Sequence, residues 1–142
     1  MGGLRLGQES EELRWRYVYY KSASGRVPVR EFIEAQDVKV REKLFADLER
    51  LIQENVRLGP PFASKLAGRD FWELRTKAPG GGAGGDIYRT FYFAFTGRKF
   101  VLLHALQKKS QKTPKADLEL AEERMKDYVK RSEKRRSKKS KG

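Results

Sequence analysis

The stretch from Asp86 to Lys112, DIYRTFYFAFTGRKFVLLHALQKKSQK, constrains the fold more than any other part of the chain. Two runs dense in aromatic and branched residues, Ile87 to Phe95 and Lys99 to Leu106, flank Thr96-Gly97. Aromatic and β-branched side chains suit a pleated surface and glycine supplies the positive φ of a tight turn, so the pattern predicts an antiparallel hairpin. Cations stand at its ends: Arg89 near the start of the first strand, and Lys108, Lys109 and Lys112 past the end of the second. Strand pairing brings those ends together in space. The expectation is a phosphate-binding surface built on a rigid sheet.

The flanking segments supply layers to cover such a hairpin. Trp15 to Tyr20 (WRYVYY) reads as a strand, and Pro28 fits the first turn of a short helix that buries Phe32 and Ile33. Asp37 is the N-cap expected for a longer helix, where Val40, Leu44, Leu48, Leu51 and Ile52 recur at steps of three and four. Gly59-Pro60-Pro61 is expected to stop it. Phe71 to Thr76 reads as a half-buried strand, with Phe71, Glu73 and Arg75 on the face opposite Trp72 and Leu74. The run 78–85, APGGGAGG, lacks the lysine and hydroxyl residue of a P-loop and reads as a strand connector. Thr113 then caps a last helix, with Pro114 in its first position and Leu118, Ala121, Met125, Tyr128 and Val129 as its apolar stripe. The order β-α-α-β-β-β-α predicts an α+β fold, with two N-terminal helices and a C-terminal helix on a small antiparallel sheet of about four strands. Residues 1–12 read as a flexible leader and 13–130 as one domain; 131–142, with seven basic residues, one acidic and none apolar, read as a disordered basic tail.

With 32 basic residues against 19 acidic and a formal charge of +13, the chain should prefer polyanions, nucleic acid ahead of membrane headgroups. It has no cysteine, which fits a reducing cytoplasm, and no apolar run long enough to span a bilayer. One histidine and no carboxylates clustered on the strands leave zinc and two-metal sites without their usual ligands, so neither metal nor cofactor is expected. His104 lies between Leu103 and Ala105 and by alternation shares a face with Phe100, Leu102 and Leu106. It reads as a core histidine, with proton transfer as the alternative. Metal-free RNA cleavage, in which a 2′-hydroxyl attacks the adjacent phosphate, needs cations to hold phosphate oxygens and groups to move protons. Arg75, Arg89, Lys108 and Lys109 have that chemistry, a solvated basic rim being the plainer reading. Tyr88, Phe91, Tyr92 and Phe93 read as core or cross-strand pairs, base stacking being their functional alternative.

The strands FWELRTK and IYRTFYFAF, and above all KFVLLHALQKKSQKTPKADLELAEERMKDY, resemble the RelE/HigB toxins of bacterial toxin–antitoxin modules, in particular the phage Gp49-like branch. The likeness covers about residues 14 to 130. It implies a cytoplasmic toxin that cuts messenger RNA in the ribosomal A site without a metal, neutralised by an antitoxin with a helix-turn-helix domain. It places Arg89 on the scissile phosphate, Lys108 and Lys109 in phosphate binding and proton transfer, and Arg75 and Lys112 on the substrate backbone. It leaves open whether the chain forms a homodimer. Two competing readings are a noncatalytic gyrase inhibitor of the related ParE type and a nucleic-acid-binding module without toxicity.

Overall fold

Alternation along the central strands gives each of them two buried faces, and helices cover both. The computed structural model describes residues 14–80, 86–108 and 112–141, with side chains up to residue 137. In chain order the elements are β1 (Arg16–Tyr19), α1 (Pro28–Glu34), α2 (Val38–Glu54), a 3-10 turn (Asn55–Arg57), β2 (Ala63–Lys65), β3 (Trp72–Lys77), β4 (Ile87–Phe95), β5 (Lys99–Lys108) and α3 (Lys115–Lys141). The leader 1–12 and residues 81–85 of the glycine-rich connector lie outside the described residues.

The expected hairpin forms between β4 and β5, paired antiparallel from Phe95 opposite Lys99 to Ile87 opposite Lys108. Its loop holds three residues rather than a Thr96-Gly97 pair, with Gly97 at φ +86° and Arg98 at φ +55°. The Arg98 carbonyl accepts a bond from the Arg16 amide (3.1 Å), which starts β1 along the other side of β5. β1 runs parallel to β5, whereas β2, β3 and β4 pair antiparallel, giving the order β1-β5-β4-β3-β2. The sheet is therefore mixed and five-stranded, where an antiparallel sheet of about four strands was expected. β2 has three residues beside two prolines, too short for an alternation signal, and a parallel partner is a long-range choice that local pattern does not encode.

Helices α1 and α2 cover one face of the sheet. Pro28 opens α1, and the Asp37 carboxylate accepts from the Val40 amide (3.0 Å) to cap α2. Val29, Ile33, Leu44, Leu48 and Leu51 are buried there against Leu74, Tyr88, Tyr92, Phe100 and Leu102. Each such aliphatic side chain contributes about 1.5–3 kcal/mol on burial. α2 ends at Glu54, ahead of the expected glycine-proline stop, because Asn55 takes a positive φ of 47° and its amide still bonds the Leu51 carbonyl.

Helix α3 covers the other face with Leu118, Ala121, Met125, Tyr128 and Val129, on Phe71, Phe91, Phe93, Val101 and Leu103. It begins at Lys115, with the Pro114 carbonyl accepting from the Leu118 amide (3.3 Å), so the cap sits one residue later than Thr113. The helix then continues to Lys141, through the segment expected to be a disordered tail. Lysine, arginine and glutamate are good helix formers, and the packed turns spare the extension its nucleation cost. Cations in the last turns also complement the helix dipole, a term that a net-charge argument leaves out.

Candidate functional site

Cross-strand partners share a face, so the registers of β3, β4 and β5 define three rows beneath and beyond α3. The first holds Glu73, Phe91 and His104; the second Arg75, Arg89 and Leu106; the third Lys77, Ile87 and Lys108. Asp117 of α3 meets His104, while Tyr128 packs edge-on against Phe93 and Phe95 (centroids 6.0 and 5.3 Å apart) near the hairpin loop. The helix thus starts over the first row and runs away from the other two. Its N-terminus, the positive end of its dipole, borders the rows that carry the cations.

Burial divides those cations. Arg89 is 2% exposed and donates through Nη1 to Glu73 Oε1, itself on a side chain only 4% exposed. Arg75, 35% exposed, brings its Nε to 3.1 Å from the same oxygen as an ion pair without hydrogen-bond alignment. Glu73 thereby holds two guanidinium groups side by side, one inside the protein and one at its surface. Lys77 is exposed, Lys108 is partly exposed, and the Lys108 ammonium donates to the Lys112 carbonyl (3.3 Å), keeping the exposed Lys112 beside it. Lys109 lies outside the described residues. The structure therefore brings Arg75, Arg89 and Lys108 to one face as expected. It corrects the surface position expected for Arg89, which a strand read alone does not predict because the burial comes from β3 and from Glu73.

His104 stands on the opposite face from the one alternation predicts. Phe91 pairs with His104 but Tyr92 pairs with Leu102, so Leu103 is the extra residue of a β-bulge. A bulge reverses the side-chain sense beyond it. His104 then points toward α3, away from Phe100 and Leu102. Arg124 Nη1 donates both to the Leu103 carbonyl at the bulge (2.9 Å) and to His104 Nδ1 (3.1 Å). Arginine only donates, so Nδ1 is the acceptor and Nε2 carries the proton given to Asp117 Oδ1 at 2.7 Å. Burial lowers the His104 pKa below its ordinary value; the Asp117 bond opposes this and the Arg124 charge adds to it. Both ring nitrogens are engaged, which makes this residue a latch between sheet and helix. Tyr88, Phe91, Tyr92 and Phe93 are all buried core residues.

Glu73, Lys77, Asp117 and Arg124 belong to this constellation and were not among the candidate site residues read from the sequence. Alternation on β3 places Glu73, Arg75 and Lys77 on one face, a signal legible in WELRTK; Asp117 reads locally only as an acid in the first turn of the last helix, and nothing local marks Arg124. Among the described residues no group of three or more histidines, cysteines or carboxylates is arranged to hold a metal. Nor is any helix there long and apolar enough to cross a membrane.

The model of the phage-derived protein Gp49-like family (DUF891) matches residues 31–126, which includes all three rows, Asp117 and Arg124. No curated protein matches the chain. β1, Tyr20 and the part of α3 beyond Lys126 fall outside the matched span. A match of this extent is compatible with the toxin of a toxin–antitoxin module and suggests an antitoxin as partner. With the rows of the sheet inside the matched span, the chain belongs to the Gp49-like family, a family of RelE/HigB-like toxin type.

Proposed function

We propose that the protein is a toxin that cuts messenger RNA in the ribosomal A site without a metal: a 2′-hydroxyl gives up its proton and attacks the adjacent phosphate, the P–O5′ bond breaks, and a 2′,3′-cyclic phosphate and a protonated 5′-hydroxyl result. The observation that carries this reading is the convergence of Arg75, Lys77 and Lys108 on one partly exposed sheet face at the positive end of α3. Arg75 offers a planar fork to two phosphate oxygens, and Lys108, Lys109 and Lys112 bind the backbone and stabilise charge as the phosphate becomes pentacoordinate. Arg89 acts from below, fixing the Glu73 carboxylate that orients Arg75. Because both His104 nitrogens are engaged, proton transfer falls to the lysines. A helix-turn-helix antitoxin is the expected partner.

The burial of Arg89 favours a second reading, a noncatalytic inhibitor of DNA gyrase, since the guanidinium assigned to the scissile phosphate is turned inward. Expression in a bacterial host separates the two. Growth arrest with cleaved messages, relieved by Arg75→Ala and by Lys108→Ala, supports the nuclease; arrest with DNA damage supports the inhibitor. Absence of arrest removes both.

A further inference from the structure

The two edges of the sheet, β2 and β1, are finished differently. β2 is three residues long, follows Pro60 and Pro61 and carries the exposed Lys65, features that discourage another chain from pairing there. β1 reads RYVY, with no proline and with two tyrosines. Its even-numbered residues bond β5: the Arg16 amide donates to the Arg98 carbonyl (3.1 Å) and the Tyr20 amide to the Leu102 carbonyl (3.0 Å), with Val18 in register between them. Backbone groups of successive strand residues point to opposite sides, so the N–H and C=O of Tyr17 and Tyr19 face out of the sheet. Among the described contacts no hydrogen bond closes them. The edge ends at Lys21, whose carbonyl accepts from Arg131 of α3. Beside it β1 and α3 enclose a cleft of about 240 Å³, lined by Val18, Lys21, Tyr128, Arg131 and Arg135 among others and by no carboxylate among the described residues. All five of these residues lie outside the span matched by the family.

We infer that the outer edge of β1 is a docking site for an extended, acidic segment of a partner protein, which adds to the sheet as a further strand. An unpaired row of N–H and C=O groups is the complement of a peptide backbone. Cross-strand neighbours share a face, so an added strand sends alternate side chains to opposite sides. On one side they meet the rings of Tyr17 and Tyr19, which pack edge-on at 5.9 Å over the α1 and α2 layer. On the other they meet Val18, the exposed Arg16 and the cleft. Asp127 takes up the charge of Arg131 (2.7 Å), which leaves the exposed Lys21 and Arg135 to attract carboxylates. The segment that fits alternates apolar residues, on the tyrosines, with acidic ones, on the cations. A cleft below the roughly 300–1,000 Å³ of a small-molecule site takes side chains of a longer chain. A second copy is the poorer occupant, because at +13 each, two chains pairing β1 with β1 would set Arg16, Lys21 and Arg135 against like charges. Docking here goes beyond the nuclease reading and does not require it.

The test measures fluorescence anisotropy of the full chain with a labelled, end-capped octapeptide that alternates valine and glutamate. A second octapeptide has the same composition, with its valines and glutamates in two blocks. The alternating peptide should bind about tenfold more tightly at physiological salt, although the two carry the same charge. Only every second amide of an added strand faces β1. N-methylation of the valine amides in one peptide and of the glutamate amides in another should therefore abolish binding in one and spare it in the other. Lys21→Glu with Arg135→Glu, both at exposed positions, should weaken the alternating peptide about tenfold, with circular dichroism confirming the fold. Equal affinity for the alternating and block peptides overturns the proposal, as does an equal effect of the two methylation patterns or an unchanged affinity in the double glutamate variant. So does a dimer of the chain that the peptide splits, which gives the edge to a second copy, or an RNA oligonucleotide that displaces the peptide, which gives it to nucleic acid.

Discussion

The two faces of the sheet are made by the same strands yet serve different ends. On the side of α1 and α2, Leu74, Tyr88, Tyr92, Phe100 and Leu102 meet a helical layer of aliphatic residues, with Thr76 and Thr90 as buried polar neighbours. On the side of α3, apolar residues fill the half near the hairpin loop, while in the other half Phe91 and Leu106 share their rows with Glu73, Arg75, Arg89 and His104, and Lys108 lies beyond them. Because strand side chains alternate, a residue added to the charged rows takes nothing from the apolar layer behind it. One face supplies stability, and the other can carry chemistry at little cost to it.

The sharpest way to break this comparison is Glu73→Ala, which leaves Arg89 buried without its carboxylate. We expect a loss of about 3–5 kcal/mol in equilibrium denaturation, since breaking a buried pair removes the attraction that offsets the desolvation of Arg89. Replacing both, with Glu73→Leu and Arg89→Met, should recover most of that loss; a double variant as unstable as the single one would refute the pairing. Leu102→Ala on the apolar face should cost about 2–5 kcal/mol by cavity formation and leave toxicity per folded molecule unchanged. Lost toxicity in a folded Leu102→Ala protein would show that the faces are not independent.

How much of this division was legible in the sequence depends on how local each signal is. The hairpin, the capped helix from Asp37 and the split of Phe71 to Thr76 into two faces follow from spacing alone, and the structure bears them out. The parallel pairing of β1 with β5 joins segments far apart in the chain, and β2 is three residues long, so neither leaves a periodic trace. The same holds at the site. Alternation places Arg75 correctly, but the inserted Leu103 turns His104 to the other face, and only the pairing reveals the insertion. The burial of Arg89 is likewise a property of three strands together. The tail was misjudged for another reason: net charge argues for disorder, while its residue types favour helix once packed turns precede them.

A smaller effect sharpens the contrast at the boundary between the two halves of the α3 face. His104→Ala removes a hydrogen-bond partner from Asp117 and one of two from Arg124 Nη1, which keeps the Leu103 carbonyl, and should cost about 1–2 kcal/mol. The pH dependence carries the distinguishing sign. With its folded pKa below the ordinary 6.5, His104 binds fewer protons in the folded state than in the unfolded one. Stability should therefore be fully present above about pH 6.5 and decline as pH falls toward the folded pKa. Denaturation curves across that window should slope for the parent and flatten for His104→Ala. An identical slope in both would show that the latch does not titrate as its surroundings require.

The smallest effect on stability is expected where the effect on function is largest. Lys108 is partly exposed and its ammonium bonds only a carbonyl four residues away among the described contacts; Arg75 is over a third exposed and its ion pair is not aligned. Surface changes of this kind usually stay within about 0.5 kcal/mol, so Lys108→Ala and Arg75→Ala should melt close to the parent. Toxicity, measured as growth arrest at matched protein levels, should nonetheless fall in both. Since Arg75 and Lys108 occupy adjacent rows, the double variant should lose less than the product of the two single effects if both hold one phosphate. Independent, multiplying losses would place them on different parts of the substrate. Full toxicity in both single variants would move the active surface elsewhere on the molecule.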